Sequence, residues 1–228
     1  MVNKKCRNDV FVEIILNYSI IFLICRNNDT VKLKDLMRET IKNIATVQLG
    51  YSFRSRLEVS KDGEVAVIQM KDLLDDNTIG CDELVKIDMD SVKDHHLARK
   101  GDLVFRSRGI VSNAAILLED PAKAVVAAPL IRIRITKPNR ILPEYLNWYL
   151  SQREAQVFLT SRAIGTAQKM ISKEVLEDLE VLLPSLESQK KIVELASLSA
   201  REQVLLGGLA EKRKQYISMA LTRFAKGE

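Results

Sequence analysis

The sequence predicts an α+β protein in which a mostly β domain with short helices precedes one long, coiled-coil-like C-terminal helix. Short segments rich in β-branched residues recur between residues 65 and 135 and are separated by turn residues. From Pro143 onwards the apolar residues follow helical spacing. After Pro184 no further proline occurs, so a single helix can run towards the end of the chain.

The composition is that of an ordinary globular protein, with 46% hydrophobic and 29% charged residues among 228. This length suits one good-sized domain plus an appendage, or two small domains. A net charge of +5 and a pI near 9.0 are compatible with a polyanionic partner. Cys6, Cys25 and Cys81 are widely spaced and form no C-x-x-C motif. Such a set favours a reducing compartment, the cytoplasm, over disulfides or zinc.

The most hydrophobic segment spans residues 11–25 but is interrupted by Glu13 and Asn17. It is short for a membrane span, and it lacks a clean signal-peptide cleavage site. Three interpretations remain open: a packed N-terminal helix or strand, an upstream extension outside the working domain, or a membrane anchor. We predict an extension over residues 1–30, followed by a domain over residues 31–184 and a long helix over residues 185–228.

Within the domain, residues 31–36 read as a short strand that runs into a helical turn. A loop around Gly50 then carries Arg54 and Arg56 beside two aromatic residues. Strands are predicted over residues 65–69, 85–87, 103–105, 114–118, 124–127 and 130–135. Strict alternation in the last of these places Arg132 and Arg134 on one face of the sheet.

The helical part begins at Pro143, which occupies a first-turn position. A second helical piece covers residues 154–159, and a loop follows over residues 163–169. Ser172 is the predicted N-cap of a short helix that ends at Leu179, and residues 180–183 form a last strand.

Ser185 is the predicted N-cap of the long helix. An alternating three- and four-residue spacing places mostly apolar residues on one seam, interrupted by Glu202 and Lys212. Gly207 and Gly208 weaken the middle by roughly 1 kcal/mol each relative to alanine. Either the helix bends there or a partner backbone approaches closely. The residues predicted to form a subunit interface are Leu195, Leu198, Leu205, Leu209 and Tyr216.

Signatures of catalysis are missing from the sequence. It contains no P-loop, no G-x-G-x-x-G, no G-x-S-x-G and no Asp-x-Lys or Glu-x-Lys nuclease motif. His95 and His96 are the only histidines. On a strand they would face opposite sides, which makes them poor joint metal ligands. We therefore predict no catalytic residue and no metal site.

Basic residues cluster at Arg54/Arg56, Arg106/Arg108 and Arg132/Arg134, and Lys169 joins them if its loop lies nearby. Guanidinium groups bind phosphates or guanine edges, and glutamines such as Gln69 and Gln168 can read adenine. The alternative is that each pair lies on a solvated strand or loop face. The residues predicted to contact DNA are Arg54, Arg56, Arg106, Arg108, Gln168 and Lys169.

A series of weak motifs becomes fairly specific when their order is considered. Gly101-Asp102 enters a strand, Pro143 starts a helix that carries Tyr145-Leu146, and Gly165-Thr166-Ala167-Gln168 precedes Ile171-Ser172. Pro184-Ser185-Leu186-Glu187-Ser188-Gln189 then opens the long helix. This order resembles the target-recognition domain of the specificity (S) subunits of type I restriction–modification systems, over about residues 31–224.

The resemblance implies a protein that reads one half of a bipartite DNA sequence without catalytic activity of its own. Methyltransferase (M) subunits would dock on the long helix, and a restriction (R) subunit would cut DNA. S-adenosylmethionine, ATP and magnesium would belong to those partners, so no cofactor is expected on this chain.

Typical family members contain two recognition domains and two long helices, whereas this sequence has one of each. It therefore resembles a half subunit, a truncated product, or one segment of a shuffled locus. A homodimer formed through the terminal helix would present two identical recognition domains. Its DNA target would therefore be an inverted repeat with a fixed gap. Two other classes remain as alternatives: a helical adaptor whose β domain binds protein, and an orphan enzyme.

Overall fold

The computed structural model describes residues 37–53, 57–60, 62–89, 92–109, 113–165 and 169–227. The expected N-terminal extension and the expected strand near residue 31 lie outside these ranges. Within the described residues the α+β prediction is confirmed, because small β-sheets and short helices precede one long helix. None of the described helices is long and apolar enough to span a bilayer.

The strands are β1 (Met37–Thr40), β2 (Ala45–Leu49), β3 (Val65–Ile68), β4 (Val85–Ile87), β5 (Leu103–Arg106), β6 (Ala114–Ile116), β7 (Ala124–Val126), β8 (Leu130–Ile135) and β9 (Glu180–Leu183). The helices are α1 (Ile41–Ile44), α2 (Pro143–Ser151), α3 (Arg153–Ser161), α4 (Lys173–Glu177) and α5 (Leu186–Lys226). Two 3₁₀ turns cover Met70–Asp72 and Asp94–His96.

The strands form three sheets. An antiparallel sheet has the order β2-β8-β5-β6, and a three-stranded sheet has the order β4-β3-β7 with β3 and β7 parallel. β1 and β9 form a separate antiparallel pair that joins the two ends of the described domain. This pairing explains why β1 was missed from the sequence, since its short polar segment is a strand only through contact with distant β9.

The main hydrophobic core lies between one face of the four-stranded sheet and helices α1 to α4. Phe105 and Ile133 point into it from neighbouring strands, and Tyr145, Leu146 and Leu150 cover them from α2. Alternate residues such as Val104 point to the opposite face, where they pack against the three-stranded sheet. Both faces of the four-stranded sheet are therefore covered.

The long helix is capped as the sequence predicts, because the Ser185 hydroxyl accepts a hydrogen bond from the Ser188 amide at 3.2 Å. Its first turns dock on the domain through Gln189, which is fully buried, and through the half-buried Ile192 and Val193. From Arg201 to Gly227 every residue is exposed. The helix remains α-helical through both glycines, and apart from the adjacent turns of the helix itself no described residue lies within 4 Å of a Cβ built at Gly207 or Gly208.

Candidate nucleic-acid interface

Three chain segments meet at one edge of the four-stranded sheet, which we call the loop edge. Antiparallel pairing places Leu49, the last residue of β2, opposite Ile131, and Arg106, the last residue of β5, opposite Leu130. The loops that follow β2 and β5 and the turn that precedes β8 therefore converge. Gly50 permits this approach, since a Cβ there would lie 2.6 Å from the Ala127 carbonyl carbon.

The segment before α4 also lies at the loop edge. The amide of Ile171 donates to the Ser107 carbonyl at 2.9 Å, and Arg108 forms an antiparallel bridge with Met170. Arg108 itself is exposed, as is the neighbouring Lys169. Two predicted contact residues that lie far apart in sequence are thus brought to one surface.

Arg106 is held differently from Arg108. Its Nη2 donates to the Met70 carbonyl at 3.1 Å, and its buried Nε finds no acceptor among the described residues. Below it, a cavity of about 570 Å³ is lined by Phe53, Met70, Pro129 and their neighbours. Arg106 is consequently half-buried at the end of β5, with one guanidinium nitrogen fixed to the protein.

The remaining predicted contact residues are Arg54, Arg56 and Gln168, which lie outside the described residues. Phe53, which directly precedes Arg54, lines the loop-edge cavity. All six DNA contacts remain predictions.

The interpretations offered for Arg132 and Arg134 were wrong. The two side chains share a face as the alternation predicts, but this face packs against other parts of the domain: Arg132 is buried, and the Arg134 side chain is only 23% exposed. Arg132 is 5% exposed and donates to the Leu97 carbonyl at 2.7 Å. Arg134 binds Asp102 through two hydrogen bonds. Alternation shows which residues share a face, but it cannot show that a second sheet and the residue 92–98 segment cover that face.

This arrangement is an internal ion-pair cluster. Burial and the nearby Arg134 charge lower the pKa of Arg132, whereas the hydrogen bonds to Asp102 raise the pKa of Arg134. Asp102 is 2% exposed, so the paired charges are largely removed from water. The sequence signal that could have identified the partner is the Gly101-Asp102 pair, which was noted only as a motif.

His95 and His96 also differ from the expectation, since they belong to a 3₁₀ turn rather than a strand. Their rings lie 4.1 Å apart instead of facing opposite sides. His96 in turn contacts the Tyr51 ring edge-on at 5.4 Å, and Tyr51 contacts Phe53 at 4.8 Å. Four rings, His95, His96, Tyr51 and Phe53, therefore form a row that leads to the loop-edge cavity. Within the described part of the chain, no cluster of three or more His, Cys, Asp or Glu side chains is arranged to hold a metal ion.

The five predicted interface residues on α5 are all exposed, from Leu195 at 45% to Tyr216 at 72%. With about 100° of rotation per residue, they form one stripe with Leu206, Ile217 and Phe224. Val204 is exposed on the opposite side of the helix. An exposed, mostly apolar stripe of this length is typical of a protein–protein interface.

Comparisons with known proteins agree on one family. The family model described as the type I restriction modification DNA specificity domain matches residues 33–198, well over half of the chain. No curated protein sequence matches significantly.

Three solved structures are similar in fold. The S subunit from M. genitalium gives a TM-score of 0.51 at 14% identity, covering 83% of this chain and 44% of that one. A chain from a study of assembly and conformational transition of the type I system gives 0.61 at 17%, covering 89% and 48%. The HsdS subunit from Thermoanaerobacter tengcongensis gives 0.55 at 16%, covering 79% and 41%.

This chain thus spans less than half the length of each of these proteins. Their identities are low and support the fold, while the family model covers the motifs from the start of the domain to the first turns of α5. On these grounds the chain belongs to the family of type I restriction–modification DNA specificity domains.

Proposed function

We propose that this chain is a non-catalytic specificity subunit that reads one half of a bipartite DNA target and directs methyltransferase and restriction subunits to it. The observation that carries the proposal is the convergence of Arg106, Arg108 and Lys169 on the loop edge of a specificity-domain fold. In this proposal residues 31–184 form the recognition domain and residues 185–228 form the spacer and docking helix.

The chemistry of the loop edge suits a nucleic acid. Arg108 and Lys169 are exposed cations, and Arg108 has a planar guanidinium that can engage a phosphate or the O6 and N7 atoms of guanine. The surface is made of loops positioned by a rigid sheet, which is where binding residues are usually found. Recognition residues can therefore vary in this region without disturbing the two-sided core beneath it.

The long helix supports a second part of the proposal, a homodimer. Near the centre of its apolar stripe lie two charged residues, Glu202 and Arg213, which share the orientation of Leu195 and Leu209, whereas Lys212 of the predicted seam lies at the edge of the stripe. In a parallel, in-register pair each charged residue would face the same residue of the second helix, and the like charges would repel each other. In an antiparallel pair centred between Leu209 and Ala210, Arg213 faces Leu206 of the second copy and lies one turn from Glu202 of that copy.

An antiparallel dimer would place its two recognition domains at opposite ends of a helical spacer. The domain docks on the first turns of α5, and about 26 exposed helical residues extend beyond it, or roughly 39 Å at 1.5 Å per residue. Such a dimer has two-fold symmetry, so its DNA target would be an inverted repeat with a fixed gap.

Docking of the methyltransferase subunit is supported by a groove beside the helix. A cavity of about 530 Å³ runs between α2 and α5, and its lining includes Trp148, Val193 and Ala200 with the acidic Glu144 and Asp76. We propose that a helix or loop of the methyltransferase binds there. S-adenosylmethionine, ATP and magnesium would be bound by the partner subunits, so that this chain contributes recognition only.

The proposal is tested by a gel-shift experiment with the full chain, alone and co-purified with a type I methyltransferase subunit. We expect duplex DNA to be bound, and changing Arg106 and Arg108 to alanine to weaken binding uniformly across sequences. Each lost phosphate contact should lower the slope of log affinity against log salt by about one. Lys42→Ala is the control, since Lys42 lies on α1 at the opposite end of β2 and binds Asp178.

Failure to bind any duplex, with or without the methyltransferase, would contradict the DNA-reading function. The exposed stripe on α5 would then favour the alternative of a helical adaptor that binds protein. Methyl transfer or DNA cleavage by this chain alone would instead contradict the non-catalytic part of the proposal.

A further inference from the structure

A chain of hydrogen bonds connects the buried arginine pair to the protein surface. Arg132 donates from Nη1 to the Leu97 carbonyl at 2.7 Å and from Nη2 to Gln48 Oε1 at 2.6 Å. The Gln48 Nε2 atom lies 3.0 Å from Nδ1 of His96. Gln48 is therefore held between a buried cation on one side and a half-buried imidazole on the other.

This series of hydrogen bonds determines which nitrogen of His96 carries the proton. A guanidinium can only donate, so the oxygen of the Gln48 amide must face Arg132 and its NH₂ group must face His96. The Nδ1 atom of His96 then has to accept, which leaves the ring proton on Nε2. Burial, followed by the charges of His95, Arg132 and Lys93, lowers the pKa of His96. Near neutral pH the ring is an uncharged donor with its N–H directed away from Gln48.

The surroundings of His96 favour an anionic acceptor. Lys93 is exposed next to the same turn, and Arg132 supplies a second positive charge close enough to lower the pKa of His96. No described residue accepts a hydrogen bond from Nε2 of His96. The ring row also links this turn to the loop edge, because Tyr51 contacts His96 and Phe53 lines the cavity beside Arg106.

We propose that His96 is a further DNA-contact residue that donates its Nε2–H to a backbone phosphate, with its tautomer fixed by Gln48 and Arg132. The inference rests on the proposed DNA-reading function and extends its surface from the loop edge along the row of rings. It also gives the buried arginine pair a role, since Arg132 and Arg134 both hold the Leu97 carbonyl next to His96.

A neutral donor has a measurable signature that distinguishes it from the arginines. Contact by a cation displaces a counterion from DNA and contributes to the salt dependence of binding. A hydrogen bond from an uncharged imidazole to a phosphate adds affinity without displacing a counterion. We therefore expect loss of the His96 donor to lower affinity while the salt slope remains unchanged, whereas loss of Arg108 lowers both.

The first test uses His96→Phe, which keeps an aromatic ring in the row and removes the donor. The probe is a duplex of about forty base pairs and arbitrary sequence, because phosphate contacts operate in non-specific binding. We expect affinity to fall about tenfold with an unchanged salt slope. Lys42→Ala, on α1 at the opposite end of β2, is the control and should bind like the wild type. Wild-type affinity in His96→Phe, or an equal loss in both variants, would overturn the inference.

The second test changes the tautomer and leaves His96 in place. In Gln48→Glu the carboxylate accepts from Arg132 and also requires a proton on Nδ1 of His96. The uncharged ring then presents a lone pair to the phosphate, and only the imidazolium form donates. Binding by this variant should be weak near pH 8 and should recover as the pH falls to about 6. Wild-type binding should change little over that range.

Other ionisable groups near the turn are Tyr51, Lys93, Asp94, His95 and Arg132, so the pH response must be assigned. Adding His96→Phe to Gln48→Glu should abolish the response if His96 is its source. A Gln48→Glu variant with the wild-type pH profile would overturn the inference, as would a response that persists without His96. Thermal melting of each variant verifies folding, and the result with His96→Phe alone is independent of Gln48.

The same experiment separates this inference from the function on which it rests. If the wild type binds the duplex and His96→Phe binds it with the same affinity, the inference about His96 is wrong, but the proposed function is not contradicted. If the wild type binds no duplex at low salt, both the inference about His96 and the proposed function are contradicted.

Discussion

Arg134 binds Asp102 with two parallel hydrogen bonds, from Nε to Oδ1 at 2.7 Å and from Nη2 to Oδ2 at 2.6 Å. Asp102 also accepts from the Arg99 amide at 2.9 Å, and Arg132 Nε lies 3.9 Å from the same carboxylate. One buried carboxylate thus compensates two guanidinium groups between the sheets. The pair joins the start of β5 to β8, and so fixes the strand that ends at Arg106.

Asp102→Asn is expected to destabilise the domain strongly. The amide keeps the size of the side chain but leaves two guanidinium groups without a counter-charge, and breaking a buried pair costs roughly 3–5 kcal/mol. The free energy of unfolding in urea measures this cost. Asp178→Asn is the matched control, because the Lys42–Asp178 pair is exposed and its loss should have little effect. Equal stability of the two variants would show that the buried cluster is not structural.

Gln189→Leu should loosen the attachment of the long helix. Gln189 accepts from the Leu142 amide at 2.9 Å and donates to the carbonyls of Arg140 and Pro184 at 2.8 and 2.9 Å. Leucine fills the space but leaves three backbone groups unpaired, which should cost about 2–5 kcal/mol. Limited proteolysis should then cut near residue 185. Gln215→Leu, on the exposed part of α5, should leave the cleavage pattern unchanged.

Stability should fall at alkaline pH because of Tyr145. Its hydroxyl donates to the Leu182 carbonyl at 2.9 Å, and burial raises its pKa from 10.0 to about 12. Because the pKa is higher in the folded state than in the unfolded state, the Tyr145 hydroxyl contributes about 3 kcal/mol to the free energy of unfolding below pH 10. This contribution is lost as the pH approaches 12. Tyr145→Phe has no ionisable hydroxyl at this position and therefore lacks this pH-dependent contribution to the free energy of unfolding.

Urea unfolding of Tyr145→Phe and wild type across this pH range provides the measurement. The wild type should be the more stable below pH 10, and its advantage should shrink or reverse near pH 12. Burial also raises the pKa of Tyr149, but that contribution is common to both proteins. A constant stability difference across the range would contradict this role for Tyr145.

Leu209→Glu should weaken self-association through α5. Leu209 lies at the centre of the proposed antiparallel pairing and is 64% exposed in the single chain, so the change costs the monomer little. Sedimentation equilibrium should show a shift from dimer to monomer. Val204→Glu introduces the same charge on the opposite side of the helix and should remain dimeric. A wild-type monomer at high concentration would contradict the dimer itself.

Local signals in the sequence were sufficient for much of the fold. Pro143, Ser172 and Ser185 mark helix starts that the structure confirms, with both serine caps hydrogen-bonded. The strand over residues 130–135 is correct at both ends. These features depend on chemistry within a few residues, which periodicity and capping rules capture.

The features that were missed depend on distant partners. β1 exists because it pairs with β9, and the Arg132 face is buried because the residue 92–98 segment covers it. His96 is oriented by Gln48, which is remote in sequence. For the candidate site, the sequence indicated the basic residues, but only the bridge between Arg108 and Met170 shows that the Lys169 loop joins the loop edge.

The proposed specificity function can be tested by mapping methylated bases in DNA from cells that express this chain together with a type I methyltransferase subunit. Methylation is expected within an inverted repeat with a fixed gap, because two identical domains would read the two halves. The pattern should be lost when Arg106 and Arg108 are both changed to alanine. Methylation at unrelated sites, or a pattern that does not depend on this chain, would contradict the claim that it specifies the DNA target.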